Sequence, residues 1–446
     1  MKNVTAKSGP LDAASVCAPA RYPSMAIASD LPVTNRSITL LHGVREADQI
    51  KLVTTLAIIF VGLAGRSGVD KVLTLRGGPE LVAFWAQLGS IIDVVAGVAL
   101  AGVGTGISVL VAQAGRPERQ RELLHEALKL GLAVSAPTML AVVAVSFALP
   151  GKLSGHGPPQ SLFAFAAAVG CVAVIPGMLN GYWLGQQRRG LMLALATASA
   201  LTLLAAALAA PRDRVLAALS LAQAAPALAA VFVLFKPGPR GAATADRDSL
   251  RRYVLPGLAI GVLTPLATVA VRDIVSAQLS WSDVGRLQAL WRVSDWVASV
   301  AAGVMAVHFL PRLAAANGTP RFSAELRLAA LATILPSALA LAALGVLRRP
   351  VFTLLYDESF LMSDAAVALF LAGTFVRIAS WLPLYALYAM RRTGPLVIGE
   401  FLSMPMFAGL LALYPWPLAL ESAGALWLAA YAAYGLFNLW AVRRAS

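Results

Sequence analysis

The chain has 446 residues, of which 59% are hydrophobic and only 13% are charged, and its formal net charge is +14. Soluble domains carry roughly 25% charged residues, so this composition excludes a soluble fold and predicts a protein embedded in lipid. Two cysteines and four scattered histidines predict neither a disulfide framework nor a metal site, and neither a cofactor nor a nucleic-acid partner is expected.

The amino-terminal segment, residues 1–45, contains four prolines and no sustained apolar run. It is predicted to be a disordered cytoplasmic tail, and a mis-assigned translation start explains it equally well. Six apolar blocks follow, each with room for a helix of about 20 residues. These blocks lie at 50–74, 81–113, 128–149, 161–185, 191–210 and 215–235.

A polar stretch at 236–252 interrupts the pattern and is predicted to be a cytoplasmic linker. Six more apolar blocks follow it, at 253–279, 285–310, 328–347, 364–390, 395–414 and 422–442. The sequence therefore predicts an all-α polytopic membrane protein with twelve transmembrane helices. Two six-helix lobes, 46–235 and 253–446, would surround a central cavity, an arrangement that is frequent in transporters.

The lysines and arginines of the loops predict the orientation. If the amino terminus is cytoplasmic, eighteen of them fall in loops on the inside and six in loops on the outside. Positive residues near the ends of spans resist translocation. Both termini are therefore predicted to face the cytoplasm, and this topology accounts for most of the net positive charge.

Charged residues also occur inside the predicted spans, where each costs about 2.5–3.5 kcal/mol at a helix centre. Their spacing predicts ion pairs within single helices, Arg66 with Asp70 and Arg292 with Asp295. Two interpretations remain open: ion pairs that hold helices together, or a water-filled cavity that binds a charged substrate. The residues are Arg66, Asp70, Lys71, Asp93, Arg272, Asp273, Arg286, Arg292, Asp295, Arg377 and Glu400.

Sequence motifs of common enzyme and ATPase sites are missing. The chain has no glycine-rich phosphate loop with Lys-Ser or Lys-Thr, no HExxH and no GxSxG. An ATP-driven pump is therefore disfavoured. The loops predicted outside are short, which also disfavours an enzyme that must hold a soluble substrate. The sequence predicts a transporter and not an enzyme.

Two segments of the carboxyl half carry a family resemblance. Residues 264–313 and 356–400 resemble the Wzx-type polysaccharide flippases, particularly the enterobacterial common antigen branch, in the superfamily that contains multidrug and toxic-compound exporters. In the amino half only VAQ at 111–113 is similar. The sequence departs from the family at Trp291, Arg292 and Thr374. The matching residues are Arg272, Ser280, Trp281, Val284, Gly285, Gln288, Ser294, Asp295, Leu310, Pro311, Phe360, Gly373, Arg377 and Glu400.

The resemblance implies a flippase of the bacterial inner membrane. Its cargo would be an undecaprenyl-diphosphate-linked oligosaccharide, moved to the periplasmic leaflet by alternating access for polysaccharide synthesis. Partners would be the glycan, membrane lipid, a polysaccharide polymerase and a chain-length regulator. Arginines suit a diphosphate, and amides and tryptophan suit sugars. The expected substrate-binding residues are Arg66, Arg272, Arg292, Arg377, Gln87, Gln288 and Trp291. The expected ion-coupling residues are Asp93, Asp273, Asp295 and Glu400.

Rival functions remain. A multidrug or metabolite exporter of the same fold would prefer an acidic cavity, a peptidoglycan-precursor flippase would also bind a lipid diphosphate, and a membrane glycan polymerase would be an enzyme. For the flippase, Arg272→Ala and Asp295→Asn are expected to abolish flipping while membrane insertion stays intact.

Overall fold

The computed structural model describes residues 35–148, 159–228, 243–390 and 392–445. Of the described residues, 50–445 belong to one compact unit and 35–49 to a second. Of the predicted tail, residues 1–34 lie outside the described residues, whereas 35–45 are helical. Of the predicted linker, 236–242 lie outside the described residues and 243–252 are helical.

The described residues form helices joined by short turns, with no strand among them. The helices of the first half are α1 (Asn35–Ala99), α2 (Thr105–Gln113), α3 (Pro117–Ala148), α4 (Gln160–Gly185), α5 (Arg189–Ala209) and α6 (Val215–Ala224). The second half contains α7 (Ala243–Gln278), α8 (Trp281–Val304), α9 (Leu310–Ala316), α10 (Arg321–Val346), α11 (Arg348–Leu355), α12 (Asp364–Ala389), α13 (Thr393–Phe401), α14 (Met404–Ala412) and α15 (Leu420–Ala445).

Helix α1 contains a break that separates two of the predicted spans. Its 65 residues would measure about 100 Å at 1.5 Å per residue, about three times the hydrocarbon thickness. Gly78 has a φ of 65° and a ψ of −157°, a conformation that glycine adopts readily, and Pro79 follows it. The chain therefore turns between the blocks predicted at 50–74 and 81–113.

Nine helices in the described part of the chain are long and apolar enough to cross a membrane, the one at Val53–Gln113 including the Gly78 break. Each predicted apolar block coincides with helix, except for residues outside the described ranges, such as 229–235. The prediction of an all-helical multi-pass membrane protein is confirmed. The number twelve and the division into two lobes stay predictions.

Glycines bring the second part of α1 into close contact with α7 and α8. A Cβ atom at Gly285 would lie 2.0 Å from the carbonyl oxygen of Pro79. A Cβ atom at Gly97 would lie 2.2 Å from the carbonyl oxygen of Gly261, and one at Gly261 equally close to that of Gly97. Small residues at membrane helix interfaces allow backbones to approach. These contacts hold α1 against the second half of the chain.

We expect Gly285→Ala to destabilise the protein by more than about 2 kcal/mol, because a side chain there must displace backbone rather than a flexible group. Thermal unfolding of the purified protein in detergent measures the effect. Gly409→Ala is the matched control, since a Cβ atom at Gly409 would have nothing within 4 Å. Equal midpoints for the two variants would contradict the proposed close contact.

Candidate functional site

A cavity of 420 Å³ opens among α1, α4, α5, the end of α6, α7 and α8. Most of its wall comes from the first half of the chain. The second half contributes Arg272 from α7, with Gln288 and Arg292 from α8. The volume lies in the range of small-molecule sites. A cavity is therefore present, and α7 and α8 form part of its wall; its position between two lobes stays a prediction.

The charged residues of the cavity wall are three arginines and one carboxylate among the described residues: Arg66, Arg272, Arg292 and Asp93. Arg66 and Asp93 are both exposed. Neither forms a hydrogen bond or ion pair with the described part of the chain. No described residue therefore accepts a hydrogen bond from any of the five N–H groups of the Arg66 guanidinium, and the described wall carries a net positive charge.

Arg272 is bound to the protein instead and is only 5% exposed. Its Nη1 donates to the carbonyl oxygen of Ala86 at 2.9 Å and to Ser90 Oγ at 2.7 Å. Its Nη2 donates to Gln288 Oε1 at 2.7 Å. This guanidinium joins α7 to α1 and α8. Its main role is thus to position three helices around the cavity.

Arg292 forms an ion pair that crosses between the two halves. Its Nε donates to Asp70 Oδ2 at 3.0 Å, and Asp70 is almost completely buried. The Tyr356 hydroxyl donates to the same oxygen at 3.4 Å. Lys71 Nζ donates to the carbonyl oxygen of Tyr356. We call Asp70, Lys71, Arg292 and Tyr356 the Asp70 cluster; it fastens α1 to α8 and to the segment that follows α11.

The predicted Arg66–Asp70 pair is wrong. Spacing of four residues places both side chains on neighbouring positions of a helix, but α8 lies against this part of α1. Asp70 therefore meets Arg292, while Arg66 remains exposed to the cavity.

The predicted Arg292–Asp295 pair is also wrong, because Asp295 pairs with Arg377 on α12. Aromatic rings surround this guanidinium: its central carbon lies 5.7 Å from the ring centres of Trp381 and Trp427 and 5.9 Å from that of Tyr431. Arg377 is not among the described residues that line the cavity. The structure therefore brings together three of the four predicted arginines and places the fourth in a separate cluster.

Of the remaining predicted residues, some line the cavity and others lie outside its described lining. Gln288 lines the cavity. Gln87 is fully buried and its Nε2 donates to Asp273 Oδ1 at 2.9 Å. Trp291 is buried, with its ring centre 5.3 Å from that of Trp427. Glu400, like Gln87, Asp273 and Trp291, is absent from the described lining.

Four polar residues of the cavity wall were missed by the sequence analysis: Ser90 on α1, Asn180 on α4, Ser199 on α5 and Gln223 on α6. All four are uncharged residues in mainly apolar helices. Ser199 is one of several small hydroxyl residues in its span, and such residues often bond to the carbonyl four positions earlier. The two amides carried a usable signal, since uncharged amides are uncommon in these spans and need partners.

Comparison with family models gives no match. The chain is 28% identical over 277 residues to the lipid III flippase of Escherichia coli (strain K12), an alignment that covers 58% of this chain and 64% of that protein. The matched region therefore spans less than two thirds of the relative's length.

Solved structures share the fold over most of the chain. An inward-facing MATE multidrug resistance transporter of the MOP superfamily has a TM-score of 0.67 and 14% identity, covering 88% of this chain and 98% of that one. The lipid II flippase MurJ, in an inward closed conformation, has a TM-score of 0.64 and 14% identity, covering 88% and 87%. These relatives are flippases and transporters, in agreement with the prediction that the chain is not an enzyme. The chain shares the fold of these MATE and MurJ structures.

Proposed function

We propose that this protein translocates an undecaprenyl-diphosphate-linked oligosaccharide across the bacterial inner membrane. The observation that carries the proposal is the cavity whose described wall holds three arginines against one carboxylate, with the Arg66 guanidinium making no hydrogen bond to the described residues. A diphosphate needs cationic donors to leave water, and guanidinium groups bind phosphate oxygens in a bidentate way. The name of the 28% identical relative supports the same substrate class.

The position of the Asp70 cluster supports an inward-facing state. The cavity wall includes Gly62, Arg66 and Val69 of α1, and Asp70 lies beyond them towards the break at Gly78. In the proposed orientation, with cytoplasmic termini, the Gly78 end faces the periplasm. The cluster would then close the periplasmic end while the cavity takes up its cargo from the inner leaflet.

Cargo binding would weaken this closure through Arg292. The same guanidinium lines the cavity and pairs with Asp70. A diphosphate bound at Arg66 would compete with Asp70 for Arg292, because both are anionic acceptors. Loss of the ion pair removes a contact between α1 and α8 and would favour opening towards the periplasm. Binding and alternating access would thus be coupled through one residue.

The charge of the cavity argues against a drug exporter. Amphipathic drugs of the kind such exporters carry are cations, and a wall with two more described cations than anions would repel them.

The sidedness of the cargo tests the proposed function. In a strain lacking the protein, labelled lipid-linked oligosaccharide should accumulate on the cytoplasmic side, and restoring the gene should return it to the periplasm. Accumulation of single lipid-linked repeats outside would indicate a polymerase instead. Increased drug sensitivity with normal surface glycan would indicate an exporter, and cell lysis on depletion would indicate a peptidoglycan-precursor flippase. Each of these three results would contradict the proposal.

Among the four expected coupling residues, Asp93 is the best placed. It is exposed in the cavity wall. Asp273 accepts a hydrogen bond from Gln87, and Asp295 pairs with Arg377. During alternating access the cavity opens first to one side of the membrane and then to the other. Only a carboxylate exposed to the aqueous cavity exchanges protons readily with both sides. We therefore propose Asp93 as the group through which a proton gradient is coupled to transport.

Asp93→Asn should abolish the response of transport to a pH gradient, because the amide does not exchange a proton. Proteoliposomes with fluorescent undecaprenyl-diphosphate-linked oligosaccharide, assayed with and without the gradient, measure this response. Asp213→Asn is the control, since Asp213 is an exposed loop residue beside Arg214. A full gradient response in Asp93→Asn would rule out this role.

A further inference from the structure

The cavity has two chemically different walls. Its charged described residues all come from α1, α7 and α8: Arg66, Asp93, Arg272 and Arg292. The remaining contribution, from α4, α5 and the end of α6, contains no charged residue among those described. We call this contribution, residues 173–226 of the lining, the neutral wall. Its polar members are Asn180, Ser199 and Gln223.

The two amides of the neutral wall have no hydrogen-bond partner in the described part of the chain. Neither Asn180 nor Gln223 forms a side-chain hydrogen bond with the described residues. In contrast, the amide of Gln87 donates to Asp273 and that of Gln288 accepts from Arg272. An amide side chain has two N–H donors and an oxygen acceptor, and both amides are partly exposed in the cavity wall, where a ligand entering the cavity can reach them. Asn180 and Gln223 are therefore placed as groups for a ligand.

Ser199 adds a third polar group from a third helix. Its hydroxyl donates to the carbonyl oxygen of Leu195 at 2.8 Å, which leaves its oxygen lone pairs as acceptors. The rest of the neutral wall is apolar and mostly small, which leaves room beside the polar groups. These residues are Ala173, Pro176, Gly177, Leu195, Ala196, Ala200, Leu203, Ala222 and Pro226.

We propose that the neutral wall is a subsite for the glycan of the cargo, with Asn180, Gln223 and Ser199 binding sugar hydroxyl or acetamido groups. This inference rests on the proposed function. A hydroxyl both donates and accepts hydrogen bonds, which matches an amide, whereas a phosphate only accepts and is matched by the arginines. The diphosphate lies at the charged wall, and the sugars extend towards α4, α5 and α6. Selection among glycans then depends on the first half of the chain.

Binding to two probes tests this subsite. The full-length protein is placed in nanodiscs of phosphatidylethanolamine and phosphatidylglycerol. One probe is synthetic undecaprenyl diphosphate, and the other is lipid-linked oligosaccharide extracted from the strain lacking the protein. The wild-type protein should bind the oligosaccharide probe about tenfold more tightly, as expected for two or more added hydrogen bonds.

The double variant Asn180→Leu with Gln223→Leu should lose this preference and bind undecaprenyl diphosphate within about twofold of the wild-type value. Arg66→Ala should weaken binding of both probes. Thr202→Leu is the control, since Thr202 also lies on α5 but is absent from the described lining. If the leucine double variant binds neither probe, the double variant Asn180→Ala with Gln223→Ala is measured instead. It shows whether the preference for the oligosaccharide probe is lost while binding of undecaprenyl diphosphate is kept.

Two results would overturn the subsite while leaving the flippase proposal intact. In one, the wild-type protein binds both probes equally. In the other, the alanine pair keeps the wild-type preference or loses affinity for both probes to the same extent. Failure of the wild-type protein to bind either probe would overturn the proposed function as well.

Discussion

Replacing Arg66 with alanine should lower the affinity for undecaprenyl diphosphate about 100-fold, since hydrogen bonds to charged groups contribute about 1.5–3 kcal/mol each. The reason is that Arg66 is exposed in the cavity and makes no hydrogen bond to the described protein. Its donors can serve the cargo, and the substitution removes no hydrogen bond to the described residues. Binding in nanodiscs and flipping in a deletion strain both measure the effect, and protein stability should change little.

Two further variants sharpen this test. Arg66→Lys should retain part of the affinity, because an ammonium keeps the charge but loses the bidentate geometry. Arg443→Ala should have no effect, since Arg443 is exposed at the end of α15. Wild-type affinity in a stable Arg66→Ala protein would show that the cavity is not the diphosphate site.

Arg272→Ala should behave differently from Arg66→Ala, although both arginines line the cavity. Arg272 donates to Ala86, Ser90 and Gln288. Its removal takes one donor from each of these buried acceptors. The sequence predicts a loss of flipping for this variant. The structure gives a reason, because the hydrogen bonds that join α7 to α1 and α8 are lost. A lowered unfolding temperature should accompany the loss.

Asp70→Asn should destabilise the protein by about 3–5 kcal/mol, the cost of leaving one partner of a buried ion pair uncompensated. Asp70 is almost completely buried, and Arg292 and Tyr356 both meet its carboxylate. Because this pair joins the two halves, its loss should also leave the periplasmic end of the cavity open. Thermal unfolding measures the first effect, and cysteine labelling of the periplasmic end measures the second.

Exchanging the charges of Asp70 and Arg292 measures the interaction between the two residues separately from the contribution of each one. The double variant Asp70→Arg with Arg292→Asp should recover about half of the stability that either reversal alone loses, because opposite charges again face each other. Asp213→Asn, at an exposed loop residue, serves as a neutral control. A double variant no more stable than the single reversals would exclude a direct pair as the source of the effect.

Hydropathy predicted the positions of the helices because lipid requires long apolar segments with internally satisfied backbones. The same sequence did not predict the ion pairs. Spacing along one helix identifies neighbours within that helix, whereas Asp70 and Asp295 pair with residues on other helices. Which face of α1 meets α8 depends on packing, including the contact of Gly285 with Pro79.

The residues that carried the family resemblance act mainly in packing. Gly285 lies against Pro79, and a Cβ atom at Gly373 would lie 2.2 Å from the Trp427 ring. Arg272 is held by protein acceptors. Such residues indicate a fold more strongly than a cargo. The residues we assign to the cargo, Arg66, Asn180 and Gln223, lie in the first half of the chain, where the resemblance is thin.

The most direct test of the account is a cryo-electron microscopy structure of the full-length protein in nanodiscs with undecaprenyl diphosphate. We predict phosphate density in the cavity at about 2.7–2.9 Å from the guanidinium nitrogens of Arg66, with the Arg292 side chain turned towards the phosphate. Phosphate density elsewhere on the protein, with an empty cavity at saturating lipid, would contradict it.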